Sequence, residues 1–360
     1  MKGKKMIEQH GGDREGYQIE YGKSPLDFSV NVSPLGLPEG VRLAVIKALD
    51  QADAYPDPLC RRLREGIGAK LGIEKDWILC GNGASDLIER CIRTLAPKKA
   101  LITGPTFSEY RQAMERVGTK ILEFPLREEE DFRVDARILD AITEDLDLLI
   151  LCEPNNPTGL LTEEKLLFKI LESCREKNCF VLLDECFVDF LEDGREEGLL
   201  PYLKRKNQAD HILLLRAFTK FYGMAGIRLG YCISQKRELL QEMAENGAVW
   251  PVSSLAQAAG LAALEEEEYA KRLKQLVWEE SAFLIEGLRA MGFRVIEGKA
   301  NYLLFYTKDR LLQKKLWQRG IMIRDCSNYS GLEKGWFRIG IRSRKENELL
   351  LKEMKEVLEK

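Results

Sequence analysis

Lys220 sits in the segment His211–Ser234, between the apolar runs Ile212–Leu215 and Leu229–Ile233, each of strand length. An amine between two buried strands lies at a sheet edge, where open α/β sheets bind their ligands. Arg228 follows after Gly223 and Gly226, two residues that let the backbone pass close to a ligand. Amine and guanidinium together suit one anionic, carbonyl-bearing molecule: the amine attacks the carbonyl and the guanidinium holds the anion. Taken alone, the pair also reads as a solvated lysine after a strand.

Three other stretches carry chemistry of a matching kind. The expected strand Trp77–Cys80 runs into Gly81-Asn82-Gly83-Ala84-Ser85-Asp86, which sets the backbone amides of Gly83, Ala84 and Ser85 at a helix start, where free N–H groups and the helix dipole favour a phosphate. A plain strand-to-helix turn explains this stretch too, since Asp86 stands where G-x-G-x-x-G needs glycine. Glu153-Pro154-Asn155-Asn156-Pro157-Thr158-Gly159 closes the apolar run Leu148–Cys152 and can present the Asn156 amide to a ring hydroxyl or phenolate. A structural turn explains Pro157 and Gly159 equally well, though not two asparagines there. Asp184 ends the run Phe180–Leu183, and a carboxylate at the mouth of a buried strand needs a partner. A cationic ring nitrogen supplies one; a helix N-cap is the structural alternative.

The elements that must position these groups follow an α/β rhythm. Strand-like runs at 99–103, 120–124, 147–152, 179–184, 211–216 and 229–233 alternate with helical sequence, which predicts a mostly parallel sheet. Before them come an unpatterned, glycine-bearing stretch over residues 1–30, expected to be an extended arm, and a helix from Pro38 to about Asp50 with Val41, Leu43, Ala44, Ile46 and Leu49 on its apolar side. Tyr55-Pro56-Asp57-Pro58 stops that helix. After them, charge-rich helical sequence over 257–291, short strands near 293–297, 302–306 and 336–341 and a last helix over 344–359 predict a smaller α+β domain. The acidic run Glu265–Glu268 reads as a solvated helix face. The expected division is 1–45 for the arm and first helix, joining the small domain, 46–255 for the large domain and 256–360 for the small one.

Composition narrows the class. With 360 residues, 45% of them apolar, the chain can bury a sizeable core. Lys plus Arg at 55 against Asp plus Glu at 58 provides no basic field for nucleic acid. Nine cysteines without a C-x-x-C pair predict reduced thiols and no disulfide framework, and neither a secretory h-region nor a long apolar span is present. The expectation is a cytoplasmic protein acting on small molecules, with no membrane or metal partner.

In this order, a phosphate cradle, an asparagine turn, a strand-end aspartate and a Lys-x7-Arg segment resemble the fold type I pyridoxal-phosphate enzymes, specifically the class I/II aminotransferase superfamily, over essentially the whole chain from His10. The resemblance implies a PLP-dependent transferase fold: a large α/β domain with a mostly parallel sheet and a smaller α+β domain. It implies that Lys220 holds pyridoxal 5'-phosphate covalently and later shuttles protons, and that Asp184 pairs with the ring nitrogen. By the same resemblance Asn156 and Phe187 neighbour the ring hydroxyl, and Phe107 of Gly104-Pro105-Thr106-Phe107 stacks on the ring. Gly83, Ala84, Ser85, Thr219 and Arg228 hold the phosphate. Tyr55 matches the residue that reaches the phosphate of a neighbouring subunit, implying a homodimer with shared active sites.

Within the superfamily the chain resembles the branch containing histidinol-phosphate aminotransferases and threonine-phosphate decarboxylases, the latter serving cobalamin biosynthesis. His10-Gly11-Gly12, the stretch Leu26–Asn31 with Pro34-Leu35-Gly36, Phe187 in place of the aminotransferases' usual tyrosine, and Phe218–Tyr222 favour decarboxylation of O-phospho-L-threonine. Aminotransfer on histidinol phosphate with 2-oxoglutarate is the alternative. For a phosphorylated amino acid the resemblance implies contacts from His10, Asn31, Ser33, Asn156, Arg324 and Arg338, with Arg338 on the α-carboxylate and Arg324 on the distal phosphate. Surface ion pairing remains a reading for either arginine, and a mobile terminal histidine for His10. Ser33, Cys186 and Ala217 depart from the family's usual Asn, Ala and Ser/Thr.

Overall fold

The computed structural model describes residues 10–192, 195, 197–205 and 209–359. Its strands in chain order are β1 (Leu26–Asp27), β2 (Ile78–Gly81), β3 (Lys99–Gly104), β4 (Lys120–Pro125), β5 (Leu148–Cys152), β6 (Phe180–Asp184), β7 (Ile212–Ala217), β8 (Gly230–Ile233), β9 (Arg294–Ile296), β10 (Tyr302–Tyr306), β11 (Ile321–Met322), β12 (Arg324–Asp325) and β13 (Trp336–Gly340). Seven form the central sheet in the order β2-β8-β7-β6-β5-β3-β4. All pairings from β7 through β4 are parallel, and only β8 runs against its neighbours.

The central strands β5, β6 and β7 are buried along their whole length, which is why their sequences are continuous apolar runs without alternation. Leu148 and Ile150 join the core on one face of the sheet, with Leu182 and Leu213; Leu149 and Leu151 join the core on the other, with Val181 and Leu214. Helices therefore cover both sides. A second sheet, β12-β13-β10-β9, is antiparallel throughout, and β1 pairs in parallel with β11 to tie the N-terminal segment to the C-terminal part. Among the described residues no helix is long and apolar enough to cross a membrane.

Three expectations change. The N-terminal stretch is not all extended: a helix spans Arg14–Tyr21, started by the Asp13 carboxylate accepting from Gly16 N at 3.0 Å and ended by Gly22 in the left-handed region. Residues 1–9 of the expected arm lie outside the described residues. The helix Glu39–Ala48 buries only Val41 fully, while Leu43, Ile46 and, just beyond its end, Leu49 stay more than half exposed. The acidic run is a junction: Glu265 and Glu266 separate the helices Ser254–Ala263 and Glu267–Ala290, and Glu267 meets Lys70 at 3.0 Å.

Candidate active site

Sheet topology brings the chemical residues to one edge. The carboxyl ends of β3, β5, β6 and β7 lead to Phe107, Asn156, Asp184 and Lys220 respectively. β2 runs parallel to β7 because each is antiparallel to β8, so the loop to Ala84 and Ser85 emerges at the same edge. The reversed β8 delivers its amino end there, and Arg228 stands just before it. A cleft of about 170 Å³ opens at this place, and every expected site residue except Gly83, Ser33 and Tyr55 lines it.

Asp184 is buried, and its two oxygens are spoken for: Tyr110 Oη donates to Oδ2 at 2.5 Å and Cys186 N to Oδ1 at 2.9 Å. Burial pushes its acidity toward the neutral form, against the pull of those donors and of Lys220. A cation in the cleft would keep it ionised. The Lys220 amine, in the four-residue helix Phe218–Phe221, is lowered to about 8 by burial first and then by the charges of Arg338 and Arg228, with Cys186 and Asp184 pulling the other way. Such an amine is available as a nucleophile near neutrality.

Gly83 backs the cradle without lining it. Its φ is +79°, and a Cβ there would lie 2.5 Å from Arg228 Nη2, so glycine is required for the guanidinium to rest against the loop. The helix Ala84–Leu95 then begins with its first amides free of intrahelical partners.

Arg324 opens β12, while Arg338 is the middle residue of β13. They are direct cross-strand partners of β12 and β13, side by side on one face, both buried. Arg338 Nη1 donates to Asn156 Oδ1 and Nη2 to Ser29 O at 3.1 Å, while its buried Nε has no partner among the described residues. Arg324 donates to Asp325 O at 2.6 Å and Asn328 Oδ1 at 2.7 Å. Both guanidinium groups line the cleft, where they can grip anionic groups of a ligand. With Asn156 Oδ1 accepting from Arg338, the Asn156 amide hydrogens remain for a ligand. Asn31 Oδ1 also faces the cleft, buried and unpaired among the described residues.

Ser33 lies elsewhere: its Oγ is 2.6 Å from Tyr269 Oη, and its backbone N donates to Lys220 O at 2.9 Å, so it pins the lysine segment. Tyr55 is far outside the lining, exposed and stacked on Trp250 with centroids 4.1 Å apart. His10 meets Glu109 at 2.9 Å and the edge of Phe107 at the cleft mouth. Tyr110, Tyr329 and Ser29 were not foreseen. Tyr110 is one helical turn beyond Phe107 and was legible from that spacing; Tyr329 and the Ser29 carbonyl carry no sequence signal.

The donor set fits pyridoxal phosphate. The cradle with Arg228 suits its phosphate, Asp184 its ring nitrogen, Asn156 its ring hydroxyl and Lys220 its carbonyl, while the orphaned Arg338 Nε is a donor left for a second, anionic ligand and Asn31 Oδ1 an acceptor left for a donor on it.

Comparison with known proteins is consistent with that set. Residues 23–354 match the family Aminotransferase class I and II. Threonine-phosphate decarboxylase of Salmonella typhimurium is 38% identical over 97% of this chain and 96% of its own. The histidinol-phosphate aminotransferase structure from Clostridium acetobutylicum superposes with a TM-score of 0.85 at 29% identity, over 92% of this chain and 98% of that one. The Sinorhizobium meliloti histidinol-phosphate aminotransferase, in complex with pyridoxal-5'-phosphate, shares the fold with a TM-score of 0.85 at 20% identity, over 96% and 95%.

Proposed function

This chain belongs to the class I and II aminotransferase family, and from that premise we propose that it decarboxylates O-phospho-L-threonine to (R)-1-aminopropan-2-yl phosphate and CO2, using pyridoxal 5'-phosphate. The observation that carries the reading is the Arg324–Arg338 pair beside Lys220 and Asp184: two buried guanidinium groups line one cleft, which suits a substrate with a carboxylate and a phosphate. When bound, the cofactor supplies an electron sink for the pair left as a bond to the substrate's α-carbon breaks. Asp184, oriented by Tyr110 and Cys186 N, would be kept anionic by the protonated ring nitrogen it faces. Arg338 grips the carboxylate and sets which bond is strained towards breaking. Arg324 and His10 take the phosphate, with Asn31 on the substrate's polar atoms. Lys220 Nζ, in the same cleft as Asp184 and Arg338, would return a proton to the substrate's α-carbon.

The remaining assignments belong to the same proposal. Phe187, edge-on to Tyr302 at 5.0 Å, offers no hydroxyl to the ring, which favours the decarboxylase. The protein is a cytoplasmic homodimer with no nucleic-acid or membrane partner, its large domain at 46–255 and the arm and residues 256–360 forming the rest. Exposed Leu43, Ile46, Leu49, Val249 and Trp250 support the dimer, with Tyr55 reaching the partner's phosphate. The pathway served is cobalamin side-chain synthesis.

The test is holoprotein with phosphothreonine and no oxo acid. CO2 accumulating over many turnovers with the cofactor absorption band retained is the expected result. Collapse of the band without CO2 means transamination, the second reading, which the Clostridium acetobutylicum likeness favours.

A further inference from the structure

Asp86, the residue that breaks the G-x-G-x-x-G spacing, is the third residue of the helix Ala84–Leu95 and turns its carboxylate back over the loop that precedes the helix. Its Oδ2 accepts from Asn82 N at 2.8 Å, as an acid in a first helical turn does when it caps the incoming chain. Gly81 makes room for this, since a Cβ there would lie 2.8 Å from Asp86 Oδ2. Gly83 N is also taken, donating to Gly81 O at 2.8 Å. Within Asn82–Ser85, therefore, the first two amides close the turn. Those of Ala84 and Ser85, residues that line the cleft, are left for a phosphate.

A carboxylate this close to an anion site repels the anion unless its charge is met. Arg90, one helical turn on, meets it with a fork: Nε donates to Oδ1 at 2.8 Å and Nη2 to Oδ2 at 2.7 Å. The Arg90 side chain is buried, while that of Asp86 is 25% exposed. The segment after the helix Arg237–Glu245 holds the guanidinium in place. Arg93 Nη1 donates to Asn246 O at 3.3 Å, and Asn246 Nδ2 donates to Thr94 Oγ1 at 3.1 Å. Gly247 follows and lies against Arg90: a Cβ there would stand 2.7 Å from Arg90 Nε, so glycine leaves the guanidinium its place.

We propose that Asp86 and Arg90 are positioning residues for the cofactor's phosphate. The carboxylate fixes the turn that leaves the Ala84 and Ser85 amides free, and the guanidinium cancels the charge that the carboxylate brings to an anion site. Neither residue lines the cleft, and both act through the cradle alone. Their effect is confined to the phosphate end, away from the turns after β6 and β7 that carry Asp184 and Lys220. The proposal rests on the pyridoxal-phosphate reading of the cleft.

Pyridoxal, which has the ring and the carbonyl but no phosphate, separates this role from general support of the fold. Cofactor-free protein is titrated with pyridoxal 5'-phosphate and, separately, with pyridoxal. Binding is read by absorbance, and capture at Lys220 by intact mass after borohydride reduction. The ratio of the two affinities cancels any change common to both. Asp86→Ala and Arg90→Met each lower that ratio about tenfold, the scale of one hydrogen bond to a charged group, with pyridoxal affinity unchanged. Asp86→Asn added to Arg90→Met keeps an acceptor for Asn82 N without the charge and restores the ratio. Gly247→Ala, which displaces the guanidinium while both charges stay in the chain, lowers the ratio too and serves where Arg90→Met does not fold. A ratio unchanged in the folded variants overturns the proposal, as does an equal loss of both ligands, the result a merely structural role gives. A double variant no better than Arg90→Met overturns the charge-cancelling role. Failure of the cofactor reading is seen separately, in the unaltered protein, as no preference for the phosphorylated form.

Discussion

The Lys220 amine is lowered to about 8 by burial and two guanidinium groups, and that sets when it can act. An amine attacks a carbonyl only when neutral, and the neutral fraction grows as pH rises through that value. Capture of pyridoxal phosphate by the cofactor-free protein should therefore accelerate from pH 6 through about 8 and level off above it, read by stopped-flow absorbance. Lys220→Ala should leave no cofactor attached to the chain after borohydride reduction, read by intact mass. Tyr110 is a positioning residue, since its hydroxyl acts through Asp184. Tyr110→Phe removes a donor to a buried carboxylate and should cost about 1–3 kcal/mol of stability in urea unfolding of the cofactor-free protein.

At the scale of elements, the site depends on turns that follow buried strands. Gly83→Ala places a methyl against Arg228 in a left-handed backbone, and cofactor affinity should fall roughly tenfold, about 1.4 kcal/mol, by equilibrium dialysis. The asparagine turn after β5 is braced by Glu153, whose buried carboxylate accepts from Thr162 N at 2.8 Å. The strand-end residue Glu185 is braced by Arg216, which donates to Glu185 Oε2 at 2.8 and 3.0 Å with both side chains buried. Arg216→Leu leaves that carboxylate without its cation, held only by Leu199 N at 2.6 Å, and should destabilise the fold by about 3–5 kcal/mol, measured by chemical denaturation.

For the whole molecule, the decisive surface is the one that the first long helix leaves uncovered. The helix Glu39–Ala48 packs against Ser254–Ala263, yet Leu43, Ile46 and the following Leu49 face outward, and the stacked Tyr55 and Trp250 are exposed as well. Sedimentation should give a dimer. Ile46→Glu with Leu49→Glu should shift it to monomer, and activity should fall with it, as the proposed reach of Tyr55 into a partner's cleft requires.

What the sequence by itself determined was the order of elements and the places where chemistry meets them. Continuous apolar runs such as Leu148–Cys152 and Phe180–Asp184 mark strands buried on both faces, so the polar residue ending each run had to stand at a sheet edge. That logic made Asn156, Asp184 and Lys220 legible. The N-terminal helix Arg14–Tyr21 escaped because Tyr17, Ile19 and Tyr21 recur at every second position, a strand-like spacing, among glycines. Only the tertiary structure decided that Arg324 and Arg338 share a face, since that depends on the register of β12 against β13. It alone decided that Ser33 anchors Lys220 through its backbone. It also decided which apolar side of a helix stays bare. Sequence patterns report the period of an element; they carry no record of which distant residue packs opposite, and a binding site is made of such oppositions.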